Sequence, residues 1–438
     1  MRDLWDGLPA GVQDVAVLAL LLLPLLVTGL VVTRGFAPWP LARAILWRFR
    51  WPVLIFALLI AVAVGTGIGL IAQERALRQG TAAAADPFDL VIGAPGSEIT
   101  LLLAAVFLQP SDVSLLDGAA YEAIAQARGV AFAAPLAFGD SVDGAPVVGT
   151  TAEFVTHLSG GALAEGRIWA EHGEAVVGAG LGLPLGAGIE PAHGTGPSAE
   201  SDAHAGEHFT VTGRLPPTGT PWDRAVLVPV ETVWEVHGLA AGHAPERAEQ
   251  VGPPFDAAYF PGTPAVVVRP ESLAAAYALR SQFNGEPGTM AFFPGAVLSQ
   301  FYGIMGDVRA AMSLMALVSQ GLVAVSVLLG LFILSRLTRR QMALLRALGA
   351  PARFVLAVVW CHGTALLAAG TVLGVALGWG AAAVLSRIIG ARTEILLHTS
   401  LGWTEVHLAA AFLSLASLAA LLPAAAALRA PVIEGLRA

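Results

Sequence analysis

The sequence predicts an α-helical integral membrane protein of about five transmembrane helices, with a large inserted α+β extracytoplasmic domain. Three observations carry this. Apolar residues make up 56% of the chain and charged residues only 13%. Apolar runs of bilayer length occur at 15–33, 53–72, 310–335, 354–386 and 406–428, since a hydrocarbon core of roughly 30 Å takes about 20 helical residues. Between the second and third runs lies a stretch of about 235 residues with quite different chemistry.

The first run is read as a retained anchor. Its leader carries Asp3, Asp6 and Asp14 instead of a basic region, and Arg34 follows it without a small-x-small cleavage site. Residues 1–40 are then an extra N-terminal transmembrane helix with its N-terminus outside. Arginine orients the rest. The 34–51 loop holds Arg34, Arg43, Arg48 and Arg50, and the 336–353 loop holds Arg336, Arg339, Arg340, Arg346 and Arg353, neither with an acid. Both are expected to be cytoplasmic, which places 73–308 outside. Residues 41–51, with Trp47 and Trp51 among arginines, suit an interfacial helix against lipid headgroups or an ordinary juxtamembrane anchor, leading into the span that completes 41–72.

The 73–308 insert is large enough for its own core. It holds 26 acidic residues against 9 arginines, a net charge of about −17, which disfavours a nucleic-acid partner. Its β-rich runs are Phe88 to Gly93, Val130 to Ala134, His208 to Gly213, Ala225 to Pro229 and Ala265 to Arg269. Gly118 to Ala127 and Glu271 to Phe283 look helical, and 191–207 and 240–262 look like loops. Leu101 to Phe107 is either core or an exposed lipid-binding helix. The single cysteine, Cys361, lies in a span, so no disulfide staples the insert.

Residues 309–438 carry the remaining three spans. Gly370, Gly374 and Gly378 share one face of a helix, as do Gly65 and Gly69 of the second span. Such faces allow close backbone approach, within one chain or between two protomers. The sequence contains no lysine, so a P-loop of the G-x-x-x-x-G-K-[ST] type is impossible in it. No catalytic residue is expected, and any ATP and Mg²⁺ would sit on a separate ATPase.

Seven of the ten histidines fall between 157 and 243. His204-x-x-Glu207-His208 matches the inverted zinc-protease pattern, but that chemistry needs a regular helix, and the flanks here are Gly, Ser, Ala and Pro. Two readings of the 191–208 loop stay open. One is a His/Asp/Glu loop that captures zinc or copper through His193, His204, His208 and His237. The other is a solvated loop with no ligand.

The segment Arg340-Gln341-Met-Ala-Leu344-Leu345-Arg346-Ala-Leu348-Gly349-Ala after a span, a glycine-rich next span, and Leu422-Pro423-Ala before a basic tail resemble the FtsX-like permease family. MacB-type exporters and lipoprotein-releasing permeases belong to it. The resemblance covers roughly 41–438. It departs at Gln341, where the family commonly has an acid. It implies the permease subunit of an ABC transporter in a bacterial inner membrane, a homodimer or a heterodimer of related permeases on two ATPase subunits. ATP binding there would move the external domains, for export or extraction of a periplasmic or outer-leaflet substrate. An alternative is a scaffold that activates a periplasmic partner enzyme without transport, with a possible zinc link. In either case the helix within 336–353 is expected to couple to the ATPase, with Arg339, Arg340 and Arg346 facing it or lipid phosphate and Leu344, Leu345 and Leu348 inserting in its groove, unless the arginines only enforce topology. The resemblance extends to Thr218-Gly219-Thr220-Pro-Trp-Asp223-Arg224, which is expected to contact a periplasmic adaptor, a binding protein or the opposing protomer, or to be a purely structural turn.

Overall fold

The structure is a computed structural model that describes Trp5 and residues 7–194, 208–393 and 395–429. The chain forms two compact units. One comprises Met1–Leu77, Val308–Ile388 and His398–Ala438, the other Arg78–Asp307 with Ile389–Leu397.

The second unit is built on one mixed sheet. Its strands are β1 (Leu90–Gly93), β2 (Val130–Val142), β3 (Ala145–Thr150), β4 (Glu165–Gly166), β5 (Glu174–Val177), β6 (Gly188–Ile189), β7 (Ala192–His193), β8 (Phe209–Arg214), β9 (Val226–Pro229), β10 (Ala265–Pro270) and β11 (Met290–Phe292). The order is β11-β1-β10-β2-β3-β9-β5-β8-β4, with β6 on β8 and β7 on β2. Most pairs are antiparallel, whereas β3–β9 and β5–β8 are parallel. The long strand β2 joins the two halves. Residues Val130 to Leu136 pair with β10 and Ala137 to Val142 pair with β3.

Both faces of this sheet are covered, which explains why its strands read as unbroken apolar runs. Along β10, Ala265 and Val267 point into one core and Val266 and Val268 into another. The first core is organised around Phe88, Phe154 and Trp222, whose ring centroids lie 5.3–5.7 Å apart. The second holds Tyr121, Trp234, Phe255 and Phe260, with Tyr121 stacked on Phe260 at 4.7 Å. Helices Glu98–Ala105, Gly118–Ala125 and Leu273–Gly285 begin at Ser97, Asp117 and Ser272, whose side chains accept a backbone N–H three residues on.

Two sequence expectations are settled here. Leu101, Leu102, Val106 and Phe107 are core residues, so the exposed lipid-binding helix is not found; only Leu103 on that stretch faces out. The 191–207 segment is not wholly a loop, because Ala192–His193 forms β7; residues 195–207 lie outside the described residues.

In the first unit, four helices among the described residues are long and apolar enough to cross a bilayer: Ala10–Thr33, Arg50–Ala85, Ala352–Thr393 and Trp403–Ala426. The expected span 310–335 falls within helix Pro294–Leu337, most of whose side chains there lie outside the described residues. The five glycines meet neighbouring helices of the same chain. A Cβ on Gly65 would lie 3.0 Å from the Gly374 carbonyl oxygen, and one on Gly69 3.1 Å from that of Gly378. Gly370 faces Ile60 and Ala57, and Gly374 faces Val64 and Ala61. The N-terminal helix is tied to the last span, because His407 Nε2 donates to the Asp14 carbonyl at 2.9 Å and Ser414 Oγ to that of Leu21 at 2.5 Å.

Candidate functional site

Two places combine exposed or reactive side chains with local geometry that holds them. The first is the short helix Arg339–Ala347. It ends where Gly349 adopts φ +96° and the Gly349 and Ala350 amides bond back to Arg346 and Leu345, closing the turn ahead of Pro351. Met342 and Ala343 are buried, and Met342 joins Ile45, Val355 and Val358 in a small core against which Leu345 also packs. Leu345 therefore belongs to the inward face, not to the outward one the sequence assigned it. The reason is helical period: Leu345 follows Met342 by three residues and lies over the same stripe. Arg340, Gln341, Leu344 and Leu348 point out, with Leu348 79% exposed. Arg339 and Arg346 are half-buried.

The second place lies in the sheet unit. Strands β2 and β3 form a hairpin through Asp143-Gly144, both at positive φ, the two-residue turn that suits right-twisted strands. The register breaks between Phe138 and Ser141, so Gly139 and Asp140 leave the β3 ladder in a bulge. Asp140 instead sits opposite His193 of β7. That strand is fastened by the Gly194 amide on the Gly139 carbonyl at 2.8 Å and by Ser141 Oγ on the Gly194 carbonyl at 2.7 Å. His237 comes from elsewhere, at the end of helix Val230–Val236. Its Nδ1 bonds the Val233 carbonyl at 2.7 Å. A carbonyl can only accept, so Nδ1 carries the proton and Nε2 faces Asp140 Oδ1 at 3.5 Å. His193 Nδ1 lies 3.4 Å from the same Oδ1, and the two imidazole centroids are 5.4 Å apart.

Asp140 is 1% exposed, while the His193 side chain is about half exposed at the rim. One ligand atom from each of the three lies within 4.8 Å of the others.

Of the four histidines singled out in the sequence, the structure thus brings His193 and His237 together. His208 is not part of the group. The β6–β8 ladder, with Ile189 opposite Phe209, runs it alongside Glu190, whose Oε1 is 3.4 Å from its Nδ1. His204 lies outside the described residues. Asp140 escaped sequence reading because it sits in a Gly-Asp-Ser stretch more than fifty residues before His193; the Asp143-Gly144 turn was the available signal that the strand continues past it.

The Thr218–Arg224 loop has a structural explanation for its acid. Asp223 accepts the Thr218 and Gly219 amides and the Thr218 hydroxyl, at 2.7–2.8 Å, and Trp222 is fully buried with its indole N–H on the Val106 carbonyl. Thr220 caps the following turn, and Arg224 is half-buried.

Taken by class, the chain is a polytopic helical membrane protein carrying an inserted α+β domain. No protein-family model matches it, and no curated protein matches it. Among solved structures, the periplasmic region of MacB from Actinobacillus actinomycetemcomitans is similar over 50% of this chain and 95% of that one, at 11% identity and a TM-score of 0.32. The extracellular domain of the noncanonic ABC-type transporter YknZ from Gram-positive bacteria is similar over 46% of this chain and 98% of that one, at 12% identity and a TM-score of 0.28.

Proposed function

We propose that this chain is the permease subunit of a MacB/FtsX-type ABC transporter in a bacterial inner membrane. A separate ATPase docks on the helix Arg339–Ala347, and its closure on ATP biases the external α+β domain between two positions. The observation that carries this reading is the outward face of that helix. Arg340 and Gln341 stand beside Leu344 and Leu348, which are exposed although their neighbours Met342 and Ala343 are buried. A leucine pair rimmed by arginine, on a helix too short to span a bilayer, suits insertion into a groove of a partner. Its loop carries arginines and no acid, which supports a cytoplasmic position. In this reading a second copy completes the permease, membrane lipid contacts Trp47 and Trp51, and the external domain acts on a periplasmic substrate through an adaptor or binding protein.

The test is affinity purification of the chain from its native membrane in mild detergent, with mass spectrometry of bound proteins. The expected outcome is recovery of an ABC ATPase that is lost from an Arg340→Ala/Leu344→Ala/Leu348→Ala variant of unchanged membrane level. No ATPase with the wild type, or equal recovery with the variant, overturns the assignment.

A further inference from the structure

We propose that Asp140, His193 and His237 form a Zn²⁺ site in the external α+β domain. This does not rest on the permease reading. The donor set is two imidazoles and one carboxylate, which suits a borderline divalent metal and disfavours Ca²⁺ or Mg²⁺, which take oxygen ligands.

Two of the three ligand separations fit a tetrahedral ion. With metal–ligand bonds of about 2.0–2.1 Å, the edge of a tetrahedron is about 3.3–3.4 Å, whereas ligands at right angles lie only about 2.8–3.0 Å apart. Asp140 Oδ1 is 3.4 Å from His193 Nδ1 and 3.5 Å from His237 Nε2. Both separations match the tetrahedral edge, and both are long for a charge-assisted hydrogen bond.

The ring of His237 is set for this role. Its Nδ1–H on the Val233 carbonyl fixes the tautomer that presents a lone pair at Nε2, the usual support of a metal-bound imidazole. Gly139 leaves room for the ring, since a Cβ there would lie 3.3 Å from His237 Cε1 and Nε2. Asp140 supplies the charge from inside, and half-exposed His193 closes the site at the rim, where the ion can enter.

The experiment titrates Zn²⁺ into the metal-stripped full-length chain in detergent against a chromophoric competing chelator. One tight equivalent is expected. His193→Ala should weaken it by at least roughly 10-fold, as should Asp140→Asn and His237→Gln, whereas His208→Ala should leave it unchanged. His193→Ala is decisive because a half-exposed side chain can be removed without opening the core. Zinc should raise the thermal midpoint of the wild type and not that of His193→Ala. Co²⁺ added in place of Zn²⁺ should give the intense visible absorption of a tetrahedral ion. Wild-type zinc affinity in His193→Ala, loss of the tight site in His208→Ala, or only weak octahedral Co²⁺ absorption would each overturn the proposal.

Discussion

Glu231 and His243 face one another inside the α+β unit, with Glu231 Oε1 3.5 Å from His243 Nε2 and neither side chain reaching solvent. The Gly252 amide donates to the same Glu231 oxygen at 2.5 Å, and His243 leans on the Phe255 ring. Burial dominates over that hydrogen bond and raises the Glu231 pKa to about 7, and burial likewise lowers that of His243.

A pH dependence follows. A carboxyl raised from its ordinary value near 4.5 to about 7 binds its proton more tightly folded than unfolded. Its effect is to destabilise the fold as pH rises through that window, up to about 3 kcal/mol above it. His243 acts oppositely, removing stability as pH falls below the ordinary imidazole range. Comparing wild type with Glu231→Gln isolates the carboxyl. The variant should melt higher at pH 8.5, and the gap should close toward pH 5. A gap that does not change with pH would mean Glu231 does not titrate in this window.

Gly378 is the tightest point of the contact between helices Arg50–Ala85 and Ala352–Thr393. A Cβ there would run into the Gly65 carbonyl oxygen and lie 2.9 Å from Ile68 Cβ, with backbone on the far side. Gly378→Ala should cost about 1–3 kcal/mol by overpacking, seen as a lower melting temperature in detergent. Gly380→Ala, two residues on with nothing within 4 Å, should melt like the wild type.

Asp223 holds the Thr218–Thr220 turn through three hydrogen bonds. Asp223→Ala leaves those donors without it and should cost about 2–3 kcal/mol, with faster hydrogen exchange at the Thr218 and Gly219 amides. Equal exchange in both proteins would show that the turn holds itself without the carboxylate.

Gly139→Ala tests the room around His237 without replacing a ligand. The added methyl meets the imidazole edge at 3.3 Å, so the ring must give by a few tenths of an ångström at its Nε2 side. Zinc affinity should fall while the apo protein melts within a few degrees of the wild type; unchanged affinity would show that the ring yields without leaving the ligand position.

Much of the architecture was legible in the residues. Apolar runs of bilayer length mark the spans, because helix rise and hydrocarbon thickness fix that length. The β-rich runs at 88–93, 208–213, 225–229 and 265–269 emerge nearly as read, each bounded by Gly or Pro. Strand β2 was cut short at Ala134, since Pro135 and Gly139 argue against a strand interior and only the neighbouring strands β10 and β3 hold it extended.

The site divides the same way. Sequence alone determined that histidines crowd into the 157–243 stretch, that glycines line one face of two spans, and that a basic amphipathic helix follows the 310–335 run. Those properties are local, set by composition and by the periods of 3.6 and 2. Only the tertiary structure decided which partners meet. Asp140, His193 and His237 converge because a bulge in β2, a two-residue strand and a helix end come together, and Gly65 faces Gly374 across two helices. Such pairings depend on sheet register and helix packing between segments remote in the chain, and no local pattern encodes them.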